Sequence, residues 1–202
     1  MKFGSDKFAG TVGGYYTKLN DRRSVDFVND GQGGVTEVVK VQSTRTLGVE
    51  ATASYYFIPT LNVFGNLTYQ DHEYTEFQGN PTYVGNWLRR QPKFLSMVGL
   101  AYDDKIIDAQ FTANIIGKKF ANDANSVELQ GYSIFRADLG YTVPLGVEKS
   151  LRLGVSVFNL FDVQGITEGS PRQGSSQIGG GQFFVGRPIL PRRFFVTSTI
   201  EF

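Results

Sequence analysis

The stretch TLGVEATASYYF, residues 46–57, alternates without a break. Leu47, Val49, Ala51, Ala53, Tyr55 and Phe57 fall on one parity, and Gly48, Glu50, Thr52 and Ser54 on the other. A period of two puts one set on each face of a β-strand, whereas a helix would spread the apolar set around its surface. The same alternation recurs in IDAQFTANI (107–115), RADLGYTV (136–143) and LRLGVSV (151–157). No segment carries a convincing 3.6-residue apolar stripe, so the sequence predicts an all-β, antiparallel chain.

About eight strands can be drawn, at roughly 8–19, 35–57, 61–77, 89–102, 105–119, 128–144, 149–163 and 188–202. Tight turns lie near Pro59-Thr60, Asp103-Asp104-Lys105 and Gly146-Val147-Glu148-Lys149. Long connections at about 20–34, 71–90, 120–127 and 162–187 are rich in Gly, Asn, Asp and Ser. Short and long connections alternate, so an up-and-down meander collects all short turns at one end and all long loops at the other. That asymmetry is the signature of a transmembrane β-barrel, with short periplasmic turns and long external loops.

A soluble sandwich would alternate too. The expected strands are long, however, at about 13–20 residues against a usual ~5–6 in globular sheets. Tyr55, Tyr56, Phe57, Tyr102, Tyr141 and Phe202 gather at the short-turn end, where an interfacial girdle would sit. Strands in hydrocarbon must pair both edges, which only a closed barrel achieves. The predicted lipid-facing set is Leu47, Val49, Ala51, Leu139, Leu153, Val155 and Phe194. The predicted lumen-facing set is Glu50, Asp108, Arg136, Asp138, Arg152 and Glu201, where ionised groups meet water or a plug.

Composition removes several functions. Twenty Lys and Arg against 19 Asp and Glu leave a net charge of +1, without the basic excess that a nucleic-acid binder needs. No cysteine is present, which excludes disulfides, thiolate zinc sites and a cysteine nucleophile. With one histidine, a His-based metal cluster is not expected, and a Ser-His-Asp triad would have to use His72. No apolar run reaches the ~18 residues of a transmembrane helix, and the opening MKFGSDKFAG has no apolar signal-peptide core.

The end of the chain narrows the class. The last strand, RRFFVTSTIEF, places Phe194, Val196, Ser198, Ile200 and Phe202 at every second position, with the aromatic terminal. That alternation resembles the insertion signal of bacterial outer-membrane proteins. Asn159-Leu160-Phe161-Asp162 follows LRLGVSVF, and Gly186-Arg187-Pro188 precedes the final strand. Upstream stand TRTLGVEATASYYFIPTLNVFGNLTYQDHEY and RRQPKFLSMVGLAYDD. These ordered elements, spread over nearly the whole chain, resemble the C-terminal part of a TonB-dependent outer-membrane receptor.

The resemblance implies a large barrel of 22 strands with a plugged lumen, of which residues 1–202 would form a single barrel segment. No plug domain, signal peptide or energy-coupling box is recognisable in the sequence. It implies an outer-membrane transport protein, importing a siderophore or another scarce nutrient, and no enzyme or cofactor. Its partners would be outer-membrane lipid and lipopolysaccharide, the barrel-assembly machinery, a small nutrient ligand, and the TonB complex through a missing N-terminal part. Ligand contacts are expected from the external loops at about 20–34, 71–90, 120–127 and 162–187, with no individual residue singled out. The alternative is a self-contained eight-stranded outer-membrane protein with a structural or adhesive role, and a soluble β-sandwich binding module is a third reading.

Other chemistry finds little support. Asp71-His72-Glu73 offers three metal-ligand types, but strand neighbours point to opposite faces, so no metal site is expected. No pair of carboxylates is placed to converge for glycoside chemistry. The Gly-rich runs GQGG (31–34) and SSQIGGGQ (175–182) read as external loops, since neither leads from a strand into a helix. In Asn86-Trp87-Leu88-Arg89-Arg90 the tryptophan reads first as a rim anchor, with contact to ligand or lipopolysaccharide phosphate as the second reading.

Overall fold

A computed structural model describes residues 1–29, 34–173 and 182–202. Its strands are β1 (Lys2–Gly4), β2 (Phe8–Asn29), β3 (Val35–Ile58), β4 (Leu61–Phe77), β5 (Phe94–Asp103), β6 (Ile107–Ile116), β7 (Lys119–Phe120), β8 (Glu128–Leu129), β9 (Tyr132–Gly146), β10 (Lys149–Phe158), β11 (Ile166–Gln173), β12 (Gln182–Pro188) and β13 (Arg193–Glu201). One antiparallel sheet runs in the order β1-β2-β3-β4-β5-β6-β9-β10-β13. The pairs β7–β8 and β11–β12 form separate hairpins in long connections. β2 and β13 lie far apart in the sheet order and do not pair, so the sheet is open.

The eight expected long strands are all present, with shifted ends. β2 continues to Asn29, well into the segment read as a loop from 20. Past Lys18 comes the polar run Asn20–Ser24, yet β3 still pairs with β2 as far as Asn29↔Val35, across a bulge between Leu19 and Arg22. Ladder hydrogen bonds do not need an apolar face once a strand has left the membrane. β4 likewise continues through 71–77. β5 starts at Phe94 rather than 89, because Arg90 takes a positive φ of 64° and Pro92 has no N–H for a ladder. The last strand starts at Arg193, and Pro188 instead ends β12. β5, β6, β10 and β13 run 9–10 residues, shorter than expected and close to the ~9–11 of one tilted bilayer crossing.

Cross-strand register assigns the faces. Leu153 stands opposite Tyr141 and Ser198, and Val155 opposite Leu139 and Val196. Leu47 neighbours Tyr16, and Val49 neighbours Tyr69. This face is apolar and exposed: Leu47, Leu139, Leu153, Val155, Phe194 and Val196 all remain open. So large an exposed apolar surface marks a membrane contact. On β4 the apolar outward run is Leu61, Val63, Leu67 and Tyr69, and Asp71 and Glu73 follow it. The lipid-contacting band therefore ends near Tyr16, Leu47, Tyr69 and Phe94, and the Arg45–Glu73 pair at 2.9 Å lies above it.

Two aromatic belts frame the band. Phe8, Tyr55, Tyr102 and Tyr141 face outward near the short turns. Tyr56 sits at the same end on the inward parity, opposite Asn62. The second belt, at the loop end, holds Tyr16, Tyr69 and Phe94; further round the sheet Phe111 stacks on Phe135, which meets Phe161 edge-on.

Candidate functional site

The inward face is polar and internally paired. Asp108 on β6 takes Arg152 Nε at 3.0 Å across β9, and Gly140 of β9 lies between their strands. A Cβ at Gly140 would strike both the carboxylate and the guanidinium, so the missing side chain makes room for the pair. Arg136 donates twice to Asp138 at 2.7 Å, and Ser156 donates to the same carboxylate at 2.6 Å. Glu201 accepts from Ser150 at 3.2 Å. Glu50 shares this parity, opposite Thr68. These are the residues the alternation assigned to the lumen.

Above the membrane band, two loops fold onto the inward side of β4. His72 and Tyr74 point inward and are essentially fully buried, while Asp71 and Glu73 point outward to Lys93 and Arg45. Alternation thus splits the three potential ligands of 71–73 between two faces. Among the described residues no three His, Asp or Glu groups gather around a common point.

The loop before β5 holds a short 3₁₀ turn at Pro81–Tyr83 and packs Tyr83 and Leu88 against Tyr74 and Phe77. Leu88 N–H donates to His72 Nδ1 at 3.1 Å, which requires that nitrogen to be unprotonated. Burial, reinforced by the Lys93 charge, pushes the imidazole pKa below its ordinary value. The β7–β8 hairpin loop adds Asp123, which accepts from Tyr74 Oη at 2.7 Å and pairs with Arg89 and Lys40, each at 3.4 Å. Its backbone carbonyl accepts from Asn86 Nδ2 at 2.9 Å. A buried carboxylate needs such partners to offset its desolvation. Burial and Asp123 together raise the Tyr74 pKa above the ordinary tyrosine value.

Trp87 belongs to this roof. Its ring meets His72 at 6.1 Å and Phe120 at 5.3 Å, with Lys93 above it at 4.2 Å. The indole is engaged by protein side chains and a cation, where the sequence reading placed a rim anchor. Asn125 clasps the same residue, accepting from Trp87 N–H at 2.7 Å and donating to its carbonyl at 3.0 Å.

Asn159-Leu160-Phe161-Asp162 forms a turn that secures the last strand. Asn159 is buried at a φ of 52°, a left-handed position that Asn tolerates better than most residues. Its amide donates to Val163 O at 3.0 Å and Leu190 O at 2.9 Å, and its Oδ1 accepts from Val163 N at 2.8 Å. Asp162 accepts from Arg192 N at 2.9 Å, immediately before β13. Leu160 N–H reaches Phe135 O, and the Phe161 ring packs edge-on to Phe135 at 4.9 Å.

Gly186, Arg187 and Pro188 sit on β12, opposite Gly169, Glu168 and Ile166. This puts the element inside an external hairpin rather than at the mouth of the final strand. The inward turn of the loops and this hairpin carried no periodic signal in the sequence. Of the two Gly-rich runs, only Gly34 and Gln182 lie among the described residues. Phe194, Val196, Ser198 and Ile200 share the outward face, and Phe202 follows β13 fully exposed.

Several solved structures have this fold. The ferric yersiniabactin uptake receptor FyuA from Yersinia pestis superposes with a TM-score of 0.74 at 17% identity, covering 100% of this chain and 28% of its own. The copper transporter OprC gives 0.73 at 19% identity, covering 100% and 30%. The ferric preacinetobactin receptor BauA from Acinetobacter baumannii gives 0.70 at 17% identity, covering 99% and 28%. The chain therefore spans less than a third of the length of the structures it matches. No curated protein matches it in sequence. Residues 1–160 match the family described as TonB dependent receptor-like, beta-barrel. The chain belongs to that family, whose members are outer-membrane β-barrels of Gram-negative bacteria.

Proposed function

We propose that this chain is the C-terminal third of the barrel wall of a TonB-dependent receptor that imports a siderophore or another scarce nutrient. The carrying observation is the open sheet: its outward face is apolar, its inward face is charged and paired, and external loops are folded over the inward side. Open edges on β2 and β13 need further strands, because unpaired backbone in hydrocarbon is costly. That favours a larger barrel over a self-contained eight-stranded one. In the intact receptor a plug would fill the lumen, and the TonB complex would act through the remainder of the protein. The external loops and hairpins would contact ligand. Phe194, Val196, Ser198, Ile200 and Phe202 would be read by the barrel-assembly machinery, and Asn159–Asp162 would brace the strand that carries them.

The test is uptake. Cells lacking the full-length gene, starved of iron or copper, should lose energised accumulation of one metal chelate from a panel. Restoring the gene should restore it, and collapsing the proton gradient should abolish it. Unchanged accumulation of every chelate would sink the proposal.

A further inference from the structure

Arg90, Glu168, Gly169, Ser170, Val185 and Arg187 line a cavity of about 210 Å³ between the β4–β5 loop and the β11–β12 hairpin. Glu168 bridges its two arginines, with Oε1 3.4 Å from Arg90 Nη1 and Oε2 3.2 Å from Arg187 Nη1. Arg90 also donates to the Ser170 hydroxyl. Gly169 keeps the floor low: a Cβ there would collide with the Phe184 ring lying across it.

The neighbouring β7–β8 hairpin lies alongside. Lys119 on β7 is only 9% exposed. Burial pushes its ammonium pKa down and Glu168 pushes it back up. Two guanidiniums thus face one carboxylate, leaving an excess of one positive charge in the cavity. The arrangement sits in the loops folded over the inward side of the sheet, away from the lipid-facing band.

We propose that Arg90, Arg187 and Ser170 form an oxyanion subsite at the external mouth, taking one carboxylate or phosphate arm of a soluble anionic ligand. Glu168 occupies the subsite when it is empty and is displaced by the ligand. The volume suits a single acidic group rather than a whole chelate, since drug-sized sites run to ~300–1,000 Å³. Paired guanidiniums and a hydroxyl match planar or tetrahedral oxyanions. This rests on the receptor reading and narrows its ligand to an acidic one.

The experiment uses the full-length receptor purified in detergent, with citrate and inorganic phosphate as probes in calorimetric titrations. Saturable binding of at least one probe is expected. R90Q/R187Q should weaken it by roughly 10-fold or more per arginine. E168Q should tighten it, because the competing carboxylate is gone. A merely structural ion-pair network predicts no tightening in E168Q, and that result overturns the subsite. So does the absence of saturable binding, or binding indifferent to R90Q/R187Q. Added lipopolysaccharide that displaces the probe would reassign the subsite to lipid phosphate and overturn the soluble ligand. Chelate uptake is measured in parallel. Normal uptake with anion-indifferent variants refutes only the subsite, whereas anion binding without any uptake refutes only the transport reading.

Discussion

Asn159 concentrates three hydrogen bonds and a left-handed backbone in one buried side chain. Asn159→Ala orphans the Leu190 carbonyl and puts a Cβ residue at positive φ, so it should destabilise the assembled receptor by about 2–4 kcal/mol. Asn159→Gly loses the same bonds without the backbone strain and should recover about 1 kcal/mol of that. Urea unfolding of both variants checks the order; equal losses would remove the strain argument. His72 makes a different prediction. Folding holds its imidazole neutral, with a pKa below the ordinary value. A base whose folded pKa is lowered stabilises fully above its unfolded pKa of ~6.5 and loses that contribution as pH falls below it. Among the described residues, the Lys93 charge opposes its protonation and the Asp71 charge favours it. The protection factor of the Leu88 amide should therefore fall between pH 7 and pH 5, and His72→Gln should flatten that fall. Equal pH dependence in both proteins would show that another group controls the loop.

β13 pairs along its whole length with β10, from Phe158↔Arg193 to Ser150↔Glu201, and Phe202 lies just beyond the ladder. Phe202 is 89% exposed within this chain, so its removal deletes little intramolecular burial. Even a fully buried Phe contributes only ~1.5–3 kcal/mol. Deleting Phe202 from the full-length receptor should thus slow outer-membrane assembly far more than it lowers the unfolding free energy of receptor that does assemble. Pulse expression beside urea unfolding separates the two. Normal assembly would refute the signal reading, and so would an assembly loss matched by lost stability.

At the scale of the molecule, β13 has one paired edge, and β1 covers only Ala9–Thr11 of β2. Residues 1–202 expressed alone in detergent should associate through these edges or fail to fold. A heat-modifiable monomer on a cold gel would instead support a self-closing barrel. The sequence by itself determined which residues meet lipid and which meet the lumen, since successive side chains on any strand must alternate. Leu153 and Arg152 could be assigned to opposite faces from their parity alone. It also determined the meander, because turn residues such as Asp103-Asp104-Lys105 act locally: Asp104 Oδ1 accepts from Ile106 N and Ile107 N within its own turn. What only the tertiary structure decided depends on residues far apart in the chain. Asp123 meets Tyr74 across 49 positions, and Arg90 meets Ser170 across 80. No periodicity records such pairs. Whether a loop turns inward over the sheet, and whether Lys119 is buried there, rests on long-range packing and charge compensation, which become defined only once the strands have placed the loops side by side.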